Sequence, residues 1–213
     1  MNKKLIFLAI LFLIIGGLFY FLFIWEIPEE QKTSQGPTLF AKEDYKIDER
    51  KDGKYIVVEK VGLTCKVPEN WDIKIEGDDI SESEYWVNLS SPDVEFEKSI
   101  PVKGCGISII IGQEEENVKD VKNNIKILQE NSNIEPEEIS YTYKGYELKV
   151  IDINNHQSLF WTAPEKSVIG QGIGINIPIN NKHLISFNTR FLPNDKEECS
   201  LTWEEFIKNI IIE

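Results

Sequence analysis

The sequence predicts an α+β fold: an N-terminal transmembrane helix followed by a mainly antiparallel sheet with two helices. Three observations carry this. Leu5 to Trp25 runs without a single charge. Segments between Tyr55 and Leu192 alternate apolar and polar residues or form short apolar runs between turn residues. Two stretches, starting at Val118 and Trp203, change to a helical period.

The uncharged run comes first. At 1.5 Å per residue it spans about 30 Å, the thickness of a bilayer core. Lys3 and Lys4 precede it and Glu26, Glu29 and Glu30 follow, so the N-terminal tip (1–4) is expected in the cytoplasm and the rest outside. Tyr20 and Trp25 suit an interfacial aromatic belt. A cleaved signal peptide would be shorter and end in small residues, whereas Phe23, Ile24 and Trp25 stand where cleavage would fall. A lipoprotein needs a cysteine at the end of the run, and the first cysteine is Cys65. The expectation is a single-pass anchor in the cell membrane, residues 5–25 from Leu5 to Trp25, touching membrane lipid. Residues 26–44, with Pro28, Gly36 and Pro37 among polar residues, read as a linker. Residues 45–213 read as one extracytoplasmic domain.

Within that domain, Tyr55–Val58 and Leu63–Val67 are expected strands, the second with Leu63, Cys65 and Val67 on one face. Ile73 and Ile75 alternate after Trp71, and Tyr85–Leu89 ends at Ser91–Pro92. Ile107–Ile111 reads as a strand buried on both faces. Val118, Val121, Ile125 and Leu128 then mark an amphipathic helix behind Glu114–Glu116. Strands are expected again at 139–143, 146–153, 158–162, 172–179 and 184–192, with Lys144–Gly145 and Asn180–Asn181 as turns. Thr202 and Glu205 have capping-box spacing before a stripe of Trp203, Phe206, Ile207, Ile210 and Ile211, which predicts a closing helix.

The segment Gly62 to Trp71 (Gly-Leu-Thr-Cys-Lys-Val-Pro-Glu-Asn-Trp) resembles the opening strand, Pro and Trp of the PsbP-like family. The resemblance continues through Leu89–Pro92, the strand from Gly106, the Tyr143–Gly145 turn and Leu184–Phe187, and covers about residues 55–213. It implies an α/β/α sandwich built on an antiparallel sheet. Members of that family are mostly non-catalytic.

Charge narrows the partners. Lys3 and Lys4 are the only charges before Glu26, which leaves 21 basic against 36 acidic residues beyond it, a net of −15. Such a surface repels phosphate backbones, so no nucleic-acid partner is expected. Arg50 and Arg190 are the only arginines.

Catalytic vocabulary is thin. His156 and His183 lack acid or thiol partners at ligand spacing and read as surface histidines. Asp48 to Glu59 places acids at calcium-loop positions, but Arg50 stands where a ligand belongs. Gly170 to Gly174 leads into a strand instead of following one, so it is no dinucleotide loop. Its glycines should let something pack closely over the strand. Acidic clusters at 78–84, 93–97 and 135–138 read as solvated loops. No cofactor or metal site is named by these residues.

Cys65 lies on an apolar strand face and reads as a core residue. Cys105 and Cys199 lie at element ends, which favours a Cys105–Cys199 disulfide, with three unpaired thiols as the alternative. The functional expectation is a membrane-anchored, non-catalytic module of the bacterial cell envelope that binds another envelope protein. The alternatives are an envelope hydrolase using paired carboxylates and a small-ligand sensor.

Overall fold

The structure, a computed structural model, describes residues 40–77, 85–97, 100–113, 115–130, 143–164, 171–192 and 194–213. The Leu5–Trp25 run, residues 26–39, the expected strand at 139–142 and the acidic clusters at 78–84 and 135–138 lie outside them. Among the described residues, no helix is long and apolar enough to cross a membrane. The folded unit is Thr38–Glu213. Phe40, expected in the linker, is buried in the core instead, so the linker ends earlier than 44.

Among the described residues the domain is α+β with two α-helices and antiparallel strands, but the strands form two sheets and a separate hairpin where one sheet was expected. The smaller sheet contains β1 (Lys46–Arg50), β2 (Gly53–Val58), β3 (Leu63–Lys66) and β13 (Ile210–Ile212), in that order. The larger contains β4 (Asp72–Gly77), β5 (Tyr85–Ser90), β8 (Gly106–Gly112), β9 (Glu147–Ile153), β10 (His156–Thr162), β11 (Gln171–Pro178) and β12 (Leu184–Phe191). Its order is β4-β5-β8-β12-β11-β10-β9. The hairpin pairs β6 (Glu95–Glu97) with β7 (Ile100–Lys103). Helix α1 spans Glu115–Glu130 and α2 spans Lys196–Lys208.

Period-two alternation explains the layering. Ile56 and Val58 of β2, Leu63 and Cys65 of β3, and Ile210 and Ile212 of β13 face a core shared with the large sheet. Ile107, Ile109 and Ile111 meet them from β8, as do Ile173, Ile175 and Ile177 from β11. Helix α2 adds Trp203 and Phe206, the latter edge-on to Phe187 at 5.6 Å. Helix α1 packs on the opposite face, over β9, β10 and β11. There Val118, Val121 and Ile125 bury against Leu159, Leu184 and Tyr143. Each such aliphatic side chain contributes about 1.5–3 kcal/mol by leaving water. The layers are therefore sheet plus helix, sheet, helix: the two helices lie on opposite faces of the large sheet, and a second sheet stands beside α2.

Two expectations at the C-terminus change. Helix α2 starts at Lys196, so Thr202 lies inside it, its hydroxyl donating to the Glu198 carbonyl at 3.0 Å in place of capping. Ile210 and Ile211 belong to β13, paired with Cys65 and Thr64 of β3. Asn209 closes the helix, and the open edge of β3 offers a ladder partner that a further helical turn could not supply.

Candidate functional site

The large sheet has unequal ends on its α1 face. Over β9 and β10 the outward side chains Leu148, Val150, Leu159 and Trp161 are apolar and pack in the cluster that α1 covers. Over β4, β5, β8 and β12 polar Lys74, Glu76, Asn88, Ser108 and Asn188 stand among apolar residues, and a cleft of about 750 Å³ opens there. Ladder register builds its floor: Lys74 lies opposite Asn88, Asn88 opposite Ser108, and Ser108 opposite Asn188. Strand β8, expected to be buried on both faces, has Ser108 half-buried and Ile110 41% exposed, because α1 does not reach it.

The floor residues hold one another. Ser108 Oγ donates to Asn88 Oδ1 at 2.6 Å, Asn88 Nδ2 donates to the Glu76 carboxylate, and Lys74 pairs with the same carboxylate. Lys74 above all, helped by Asn88 and Trp86, holds the Glu76 carboxyl below its usual range. At neutral pH Glu76 is therefore an ionised acceptor with its cation in place, poorly suited to donate a proton. It is the sole carboxylate among the described residues lining the cleft.

One wall is Trp161, seated directly on Gly174. A Cβ at Gly174 would stand 2.3 Å from the indole, so the close approach expected over this glycine strand is made by Trp161. Beside it, Gly172 lies opposite Arg190 on β12. Both Gly172 and Arg190 line the cleft, and among the described residues no carboxylate lies within ion-pair distance of Arg190.

The far rim is fastened covalently. Cys105 and Cys199 are joined in a disulfide with Cα atoms 5.4 Å apart, tying the first turn of α2 to the start of β8. Gly104 N–H donates to Asp195 Oδ2 at 3.0 Å, and Cys105 N–H donates to Ser91 Oγ at 2.9 Å. Both rim residues Val94 and Gly104 are thus held by α2 and by the Ser91 turn. Cys65 is free, and burial pushes its thiol up to about 12.

The other sequence candidates are scattered. Asp48 to Glu59 forms the β1–β2 hairpin and its first helical residue, with Asp48 bound to Arg50 and Asp52 to the Tyr55 hydroxyl. His183 lies in the β11–β12 connection, 2.9 Å from Asn180, where burial first and Lys182 second lower its pKa. His156 lines a separate shallow depression of about 570 Å³ with Lys122 and Asp152. Among the described residues, no group of His, Cys, Asp and Glu is arranged to hold a metal ion. The polar floor itself escaped the sequence reading. Its signal was present in the small and polar residues alternating through Asn88, Ser90, Gly106, Ser108 and Asn188.

No family model matches the chain, and no curated protein matches it. Solved structures that are similar to it in part include the following two. LpqN of Mycobacterium tuberculosis, involved in cell envelope biogenesis, is 11% identical with a TM-score of 0.40, covering 70% of this chain and 82% of that one. PA94, a protein of unknown function from Pseudomonas aeruginosa, is 11% identical with a TM-score of 0.36, covering 78% of this chain and 96% of that one. Likenesses this distant carry no argument about what this chain binds, and the PsbP-like resemblance stays with the sequence segments that suggested it.

Proposed function

We propose that the chain is a membrane-anchored, non-catalytic accessory domain of the bacterial cell envelope, and that it binds another envelope protein through the open half of its large sheet. One observation carries the choice of face. The same sheet surface that α1 seals with apolar side chains at one end is, at the other, an open cleft in which Lys74, Glu76, Asn88 and Ser108 bond to one another. The uncharged Leu5–Trp25 run, the linker and the PsbP-like order of segments support the address and the accessory role.

Photocrosslinking in intact cells tests this. A crosslinking residue at Asn188, in the cleft, should give a discrete protein adduct, and one at Glu116, exposed on α1, should not. Equal adduct patterns from the two positions, or none from Asn188, would overturn the assignment of the face. The address is tested separately: protease added outside spheroplasts should digest the acidic domain, and its survival intact would place the domain on the wrong side.

A further inference from the structure

We propose that the cleft recognises a single carboxylate on its partner, held by the Arg190 guanidinium in the notch that Gly172 leaves beside Trp161. This deepens the binding role proposed above and rests on it.

The two arginines make the case by contrast. Arg50 is fully engaged: its Nε donates to Asp48 at 2.8 Å and its guanidinium lies 4.2 Å from the Tyr55 ring centre. Arg190, in a chain with 36 acidic residues, has none of them within ion-pair distance among the described residues. It stands where the floor is cut away. Gly172 faces it across the ladder, and the position a Gly172 Cβ would take lies 3.6 Å from Trp161 Cζ3. A guanidinium next to a bare backbone and a fixed indole edge can take a planar carboxylate through two parallel N–H bonds, with an apolar group laid against the ring.

Charge decides between carboxylate and phosphate. Lys74 is already paired with Glu76, so among the described residues the lining offers one uncompensated positive charge. That matches a monoanion. A dianion would keep one charge unmatched inside a domain of strongly negative net charge. The carboxylate can be a chain terminus or an Asp or Glu side chain of the partner.

Two arginines also make the test selective, because arginine labelled with ¹⁵N at Nε gives two Nε–H signals, with Arg50 as internal control. The full chain in lipid nanodiscs is titrated with N-acetylphenylalanine (terminal carboxylate) and with N-acetylglutamylphenylalaninamide (side-chain carboxylate). N-acetylphenylalaninamide and phenyl phosphate serve as comparisons. Saturable movement of the Arg190 signal alone, with either carboxylate and at least tenfold weaker with the amide, is expected. Arg190→Gln should abolish binding measured by calorimetry, Arg190→Lys should weaken it, and Gly172→Val should weaken it at least tenfold while the melting temperature confirms folding. Equal binding of the amide, tighter binding of phenyl phosphate, or indifference to Gly172→Val would overturn the proposal. If the Asn188 crosslink in cells survives Arg190→Gln, the carboxylate assignment fails and the binding face stands. If the wild type gives no crosslink, the binding face itself fails.

Discussion

Substituting Gly174 by alanine should cost the domain about 3 kcal/mol, and the same substitution two residues earlier should cost nothing. Neither glycine has a positive φ, so backbone freedom is no reason for glycine at either position. Space is the only difference. A Cβ at 174 would lie 2.3 Å from Trp161 Cζ2 and 2.8 Å from the Phe187 carbonyl oxygen. The indole can rotate only by abandoning its packing near Tyr146, 5.6 Å away between ring centres, and the carbonyl belongs to a paired strand. Overpacking of this kind costs about 1–3 kcal/mol, and two rigid obstacles place it at the upper end. A Cβ at 172 would meet Ala163 Cβ at 3.5 Å and Trp161 at 3.6 Å, ordinary contact distances. Gly172→Ala should then be neutral or gain about 0.4–1 kcal/mol from reduced unfolded-state entropy. For a domain of this size, 3 kcal/mol lowers the melting temperature by about 6–12 °C. Thermal and urea unfolding of the two variants measure the difference, and Trp161→Leu should relieve part of the Gly174→Ala loss. Equal effects at 172 and 174, or a loss below about 0.5 kcal/mol at 174, would refute the picture of an indole seated on the strand.

Four further outcomes are expected. Replacing Cys105 and Cys199 by serine should cost up to about 4–5 kcal/mol in the chain-entropy limit for a loop of this length, read by urea unfolding. Maleimide should leave Cys65 unlabelled in the native protein and label it only after denaturation, since the thiol is buried and its pKa is raised to about 12. Ile210→Ala and Ile212→Ala should each destabilise by about 2–5 kcal/mol while Ile211→Ala stays within about 1 kcal/mol, because only the middle residue of β13 faces water; a helical C-terminus would give a different order. His183 has its folded pKa below the unfolded value, so its contribution to stability is present above about pH 6.5 and is lost as pH falls through that value towards the folded pKa. His183→Asn should flatten this part of the stability–pH curve measured by thermal unfolding.

Elements with one strong period were legible from the chain. Val118, Val121 and Ile125 mark α1, and all three are buried. Alternation through Leu63 and Cys65 marks β3, and glycine spacing at 172 and 174 marks a place of close approach. Ile210 and Ile211 read as helical because they continue the stripe of Trp203, Phe206 and Ile207, although with Ile212 they fit a strand as well. What decides is the vacant edge of β3, a residue about 145 positions away in the chain. The division into two sheets was invisible for the same reason, since pairing partners are not written in local pattern. The cleft went unread because its polar residues are spread over four strands, and Asn88, Ser108 and Asn188 become neighbours only through register. Likewise the Asn154–Asn155 hairpin turn, both residues at positive φ, follows from their tolerance of the left-handed region, which no hydropathy pattern records.

The arrangement of layers also bears on what kind of binding the open face supports. Seven strands about 4.8 Å apart make a face about 30 Å wide, and one helix about 10 Å across covers roughly two or three of them. On the α1 side, α1 is the only helix among the described residues that packs against the sheet, over β9–β11. The remaining strands must therefore be stable in water or be covered permanently by something else. An obligate partner would demand an apolar floor, as the Val118–Leu159 contact region demands α1. Here the floor sets a chain that satisfies its own hydrogen bonds, from Ser108 through Asn88 to Glu76, beside apolar Leu89, Val94 and Trp161, and among the described residues no acid lies within ion-pair distance of the Arg190 guanidinium. Such a surface loses little by standing empty and gains mainly from a group that brings the missing negative charge. It is suited to reversible engagement, so that the proposed partner could come and go while the domain stays folded.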